Sequence, residues 1–175
     1  MLSRYFLVLS LLLATGAYAD HLPSNKVAHG RSDSVLCGVN VVVNPKMASV
    51  IERLGKPSSV TGEDMDRHYI WAKGGAKLDV ATSRVTMPSG EPGREYIVRV
   101  DMRGPKPDGL LGCTGRGLCL GDTIAKVNSI YGTRYETKVV KGLRHVSIQW
   151  ADTTWLEVEF NANRRIESLT LLTPE

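Results

Sequence analysis

The sequence predicts an α+β fold built from two tandem units, each a short helix followed by an antiparallel meander. In each unit the helix packs on one face of a three- to four-stranded sheet. Three observations predict it. Two amphipathic helix patterns end in glycine, at Gly55 and Gly132. Each is followed by segments of alternating apolar and polar residues, the mark of half-buried strands. A Gly/Pro-rich run, Gly104-Pro105-Lys106-Pro107-Asp108-Gly109, separates the two halves as a linker would.

The chain opens with three zones of an export signal. Arg4 supplies a positive charge, an apolar run extends from Phe6 to Leu13, and Ala17-Tyr18-Ala19 offers small residues for cleavage before Asp20. The apolar run is too short to stay in a bilayer as a spanning helix, and no later segment is long and apolar enough to do so. The expected organisation is a signal peptide over 1–19 and a flexible leader over 20–34. A first repeat unit follows over 35–103, a linker over 104–111, and a second unit over 112–175. The leader holds Pro, Ser, Asn, Gly and charges without apolar periodicity. It also holds His21 and His29, but nothing in the pattern orients them toward a metal.

In the first unit, Met47, Val50, Ile51 and Leu54 follow the i, i+3, i+4, i+7 spacing of one helix face. Asn44-Pro45 reads as a cap and first turn, and Gly55 as the C-terminal stop. The second helix pattern is Ile124, Val127 and Tyr131, with Asp122 or Thr123 as cap and Gly132 as stop. The strands also run parallel between halves. His68–Ala72 answers Val146–Ala151, Leu78–Val80 answers Leu156–Val158, and Tyr96–Met102 answers Arg165–Leu171. Trp71 and Trp150 take equivalent places in that alignment and read as core residues.

Three cysteines, Cys37, Cys113 and Cys119, follow the signal segment. An oxidising compartment favours pairing. The loop Cys113-Thr-Gly-Arg-Gly-Leu-Cys119 turns back on itself easily, which favours Cys113–Cys119. A bridge from Cys37 to either of the others, or free thiols, stays open. The Gly115-Arg116-Gly117 stretch has the look of an anion nest, but it lacks a preceding strand and a long following helix, so a turn closed by a disulfide accounts for it.

The helix, then Leu54-Gly55-Lys56-Pro57, then meander, resembles the unit of the SmpA/OmlA small outer-membrane proteins. Gly117-Leu118-Cys119-Leu120-Gly121-Asp122, with Val127 and Tyr131-Gly132, resembles the opening of the same unit. Two such units in tandem resemble the β-lactamase inhibitory protein (BLIP-like) architecture. The resemblance covers nearly all of Cys37 to Leu172. It implies the two-unit fold, from which the second unit departs with Thr133-Arg134 in place of a proline. It does not carry membrane anchoring, since that family is usually a single unit on a lipidated cysteine, nor β-lactamase binding, since no motif here matches the inhibitory protein's contact residues.

Chemistry is sparse. There is no nucleophile elbow, phosphate loop, zinc motif or Cys-x-x-Cys pair, so no catalytic residue, metal or cofactor is assigned. The formal net charge is +4, and acids alternate with bases, as in Arg99-Asp101-Arg103. This argues against a nucleic-acid stripe. Glu157 and Glu159 share one strand face at roughly 7 Å, a spacing that glycoside chemistry can use. A solvated strand face explains them better, since catalytic pairs usually come from different elements and neither glutamate looks desolvated by its neighbours. Alternation places Leu156, Val158, Phe160, Val146, Ile148 and Trp150 in the core. It leaves His145, Ser147, Gln149, Trp155, Glu157 and Glu159 on an open face. A tryptophan among polar groups on an open sheet is what a protein-binding hot spot looks like; the alternative is that Trp155 starts the strand and folds over the sheet edge or a loop. The expected function is therefore that of an exported, non-enzymatic module, an inhibitor, immunity factor or envelope scaffold in the periplasm or outside the cell, that binds a protein through an open sheet face. The alternatives are an enzyme acting on envelope carbohydrate and a small-ligand carrier using space between two sheets.

Overall fold

The computed structural model describes residues 33–63, 66–86, 88–89, 92–105, 112–150 and 154–173. The signal segment, residues 20–32 of the leader and residues 106–111 of the linker lie outside the described residues. Among these described residues, ten strands and two helices follow in chain order. They are β1 (Val35–Leu36), β2 (Val39–Asn40), α1 (Met47–Leu54), β3 (Ser59–Thr61), β4 (Arg67–Lys73), β5 (Ala76–Thr86) and β6 (Pro92–Arg103). After these come α2 (Ile124–Tyr131), β7 (Glu136–Val140), β8 (Leu143–Gln149), β9 (Trp155–Phe160) and β10 (Ile166–Leu172).

The sheet corrects the predicted fold class. There are not two helix-plus-meander units with a sheet each. Strands β3 to β10 form one antiparallel sheet of eight strands, in the order β3-β4-β5-β6-β10-β9-β8-β7. The join is the pairing of β6 with β10, which runs from Ser168 opposite Arg103 to Leu172 opposite Arg99. Its physical cause is the open edge. A last meander strand carries unpaired N–H and C=O groups, and here each last strand satisfies the other. Alternation within one chain segment shows that a residue is in a strand but not which strand lies on its far side. Because both meanders lie in this one sheet, the space between two meander sheets that a small-ligand carrier would use is not formed among the described residues.

The two helices contribute to a single core. Met47 and Val50 of α1 and Val127 and Tyr131 of α2 are buried with Leu78, Val80, Val100, Met102, Leu156, Val158, Leu169 and Leu171 of the sheet. Leu36 and Val39 of the β1–β2 hairpin join them, with Leu118 and Leu120. One face of the sheet is thus covered and the other left to solvent, the arrangement alternation favours in antiparallel sheets. Gly55 and Gly132 cap the helices at φ 83° and 75°, donating to Ile51 and Asn128 carbonyls, a backbone region that costs other residues a Cβ clash.

Local readings shift in several places. The α1 cap position is Lys46, not Asn44. The Asn44 side chain instead accepts the Ile97 N–H at 2.9 Å and ties the helix approach to β6. Asp122 accepts from Cys119 N at 2.8 Å rather than from α2. Trp150 is buried, as a core residue should be, but Trp71 is half-buried, and its indole donates to the Gly55 carbonyl at the end of α1. Strand register also pairs Trp71 with Leu78 and sets Ile148 opposite Leu156, so Ile148 rather than Trp150 occupies the place matching Trp71.

Cys113 and Cys119 form a disulfide, and Cys37 is a buried free thiol. Asp33, assigned by sequence to the flexible leader, is buried and holds the disulfide loop. Its carboxylate accepts Gly115 N and Arg116 N, each at 3.1 Å, and the Tyr131 hydroxyl at 2.6 Å. The nest suggested by Gly115-Arg116-Gly117 is therefore filled from within by an anion of the same chain.

Candidate binding face at the β7–β9 end

The open face is built by register. Across β8 and β9, Gln149 faces Trp155, Ser147 faces Glu157, and His145 faces Glu159. On the other side of β8, Ser147 faces Glu136 and His145 faces Lys138 of β7. A period of two keeps all eight side chains on the side away from the helices, while Val146, Ile148, Leu156, Val158 and Phe160 fill the core.

All of the open-face groups but Glu159 line a cavity of about 340 Å3, together with Val140, Val146 and Val158. Five of the six residues singled out from the sequence meet there. Glu159 stands beside it, 3.5 Å from His145 Nδ1 and 3.8 Å from Arg103. Glu136, Lys138 and Val140 of β7 complete the lining beyond the residues that alternation in β8 and β9 gathers. The exposed valines of β7 and the alternating Glu136-Thr137-Lys138 were the available signal for a strand here.

The charges are unevenly matched. Glu136 pairs with Lys138 at 3.2 Å. Glu159 has His145 and Arg103. The Glu157 side chain makes no hydrogen bond or ion pair among the described residues. The residue is exposed, and partial desolvation of its carboxyl, then the neighbouring Glu159 charge, raise its pKa against the pull of His145 and Lys138. At the opposite end of the sheet the matching place is satisfied. Asp79 holds His68 at 2.8 Å and Lys77 at 3.2 Å, and His68 also reaches Asp66 at 3.2 Å. No group of three or more metal-ligating side chains occurs among the described residues, and no helix among them is long and apolar enough to cross a membrane.

No family model and no curated protein matches the chain. Solved structures do. An extracellular protein containing an SCP domain from Bacillus anthracis is similar with a TM-score of 0.50 at 7% identity, over 82% of this chain and 47% of that one. A cysteine-rich secretory protein from Staphylococcus aureus gives 0.49 at 17% identity, over 74% and 44%. A DUF4309 family protein from Bacillus subtilis gives 0.43 at 14% identity, over 74% and 78%. The chain spans less than half the length of the first two proteins. At such identity the B. anthracis likeness concerns fold alone, and the two lower scores add nothing to it. None of the three is described as an SmpA/OmlA or β-lactamase inhibitory protein.

Proposed function

We propose that this protein is an exported binding module that docks a protein partner on the open face of β7, β8 and β9. The observation that carries the reading is the cavity at that end, where Trp155 stands among Gln149, Ser147 and Glu157. A tryptophan offers large apolar area at low rotamer cost beside polar groups that fix orientation. Export is supported by the Arg4, Phe6–Leu13 and Ala17-Tyr18-Ala19 pattern and by the Cys113–Cys119 bridge, since such bonds persist in oxidising compartments. The test is a photo-crosslinking residue at Ser147, with a control at the exposed Glu52 of α1. A discrete protein adduct from position 147, absent from position 52 and lost on Trp155→Ala, is expected. An adduct indifferent to Trp155→Ala would remove this face.

One observation favours a second reading. Glu136 from β7 and Glu157 from β9 reach the same cavity from different strands, as an acid and base for glycoside hydrolysis would. In that reading Glu157, with its raised pKa, is the acid. Hydrolysis of chromogenic glycosides by the wild type, abolished in Glu157→Gln, would carry this reading. Equal background rates for both proteins would end it.

A further inference from the structure

The β7–β9 face has an unequal charge balance that specifies what its partner brings. Three carboxylates, Glu136, Glu157 and Glu159, cluster around the cavity. Lys138 answers Glu136, while His145 and Arg103 answer Glu159. Glu157, exposed on the face, makes no direct ion pair among the described residues and feels Lys138 and His145 only at longer range, although it lines the cavity two residues along β9 from Trp155. The other half of the sheet shows that this is not simply how the open face is built. There Asp79, which faces Asp101 much as Glu157 faces Thr170, carries both His68 and Lys77. Arg103 is shared with Asp101, which it holds more closely, at 3.0 Å, so the face carries more carboxylates than cations and Glu157 is the carboxylate left without a direct ion pair.

Resting on the binding-module reading, we infer that the cavity beside Trp155 takes one cationic side chain, an arginine or lysine of the protein partner, against the Glu157 carboxylate. Arginine suits it best. Its planar guanidinium can hydrogen-bond a carboxylate in bidentate fashion while lying against an indole ring. Ser147 and the Gln149 amide oxygen stand beside Glu157 and Trp155 to accept the remaining N–H groups. The cavity of about 340 Å3 holds one such side chain with room for water. A neutral partner side chain would leave the carboxylate shielded and unpaired, which disfavours it.

The experiment titrates the folded chain with N-acetyl-arginine amide and, separately, with N-acetyl-citrulline amide, its neutral isostere. Both are followed by the Trp155 indole and Ser147 amide NMR signals. Saturable shifts with the arginine amide are expected, with at least about tenfold weaker binding of the citrulline amide, the ratio a single charge-assisted contact supplies. Glu157→Gln should abolish that preference while the variant's remaining spectrum stays unchanged. Equal affinity for the two amides, no saturable shift, or a preference that survives Glu157→Gln would each overturn the inference. The position-147 adduct separates this from the parent reading. An adduct retained in Glu157→Gln but lost in Trp155→Ala leaves the docking face standing and sinks the cation. An arginine-selective cavity with no adduct at position 147 keeps the cation site and sinks the protein-docking reading.

Discussion

Thr170 donates its hydroxyl to the Asp101 carboxylate at 3.1 Å, and the same two residues face each other in the register that joins β6 to β10. Outward from this pair, Asp101 lies opposite Asp79 and Thr170 lies opposite Glu157. The seam thus sits at the middle of the eight-stranded sheet. Thr170→Val keeps the shape and removes the donor, while Asp101 retains Arg103 at 3.0 Å. A loss of about 1–2 kcal/mol in urea unfolding is expected, the value of a hydrogen bond to a charged group. Because the core is continuous across the seam, both proteins should unfold in one transition by every probe. Two separated transitions would mean that the halves fold alone and the seam is weak.

The helix face gives a graded expectation. Val50 is 1% exposed, whereas Leu54 of the same face is only partly buried against the core. Val50→Asp places a charge in the apolar core and should cost about 3 kcal/mol or more. Leu54→Asp should cost distinctly less, since its carboxylate can turn to water. Thermal unfolding of the two variants checks the order. If Leu54→Asp is the more damaging, α1 is rotated from the register described.

Cys37 is predicted to be inert in the native protein. Burial pushes its thiol up to about 11, only partly opposed by the hydrogen bond from Gly112 N at 3.3 Å. At pH 7 the thiolate would be about one part in ten thousand, and the thiolate is the reactive form. Iodoacetamide should leave the native protein unlabelled and modify one thiol per chain in denaturant without reductant. Rapid native labelling, or recovery of a peptide linking Cys37 to Cys113 or Cys119, would contradict the burial and the bridge.

What the sequence makes legible here is local. The faces of β8 and β9 follow from strict alternation, so His145, Ser147, Gln149, Trp155 and Glu157 can be gathered without coordinates. The Gly55 and Gly132 stops follow from backbone sterics. The contacts that went unread are between distant segments. The β6–β10 seam joins residues some seventy positions apart by backbone pairing, which no side-chain pattern encodes. Asp33 sits in a polar stretch with no periodicity, and only the folded chain brings it to Tyr131 and the disulfide loop. Glu136 and Lys138 belong to an edge strand whose outward residues are mostly exposed, so its pattern lacks the apolar alternation that marks a half-buried strand.

The unmatched carboxylate also predicts a pH dependence. Burial first, then the charge on Glu159, raise the Glu157 pKa, with Asp101 adding to the rise and His145 and Lys138 opposing it. Glu136 faces the same cavity from β7. A carboxyl whose folded pKa lies above its unfolded one holds its proton more firmly in the folded state. Its ionisation therefore lowers stability as pH rises from the unfolded value through the folded one, and the loss is complete above both. Glu157→Gln removes the charge at every pH. The variant should thus equal the wild type near about pH 3 and be the more stable of the two near about pH 8, with the gap opening across the ordinary carboxyl range and just above it. Urea midpoints at several pH values measure it. A saturating arginine ligand should close the gap by stabilising the wild type at high pH and not the variant, because it supplies the charge that the cavity lacks. A wild type and variant that stay parallel from pH 3 to 8, with and without the ligand, would show that Glu157 ionises as freely as any surface glutamate.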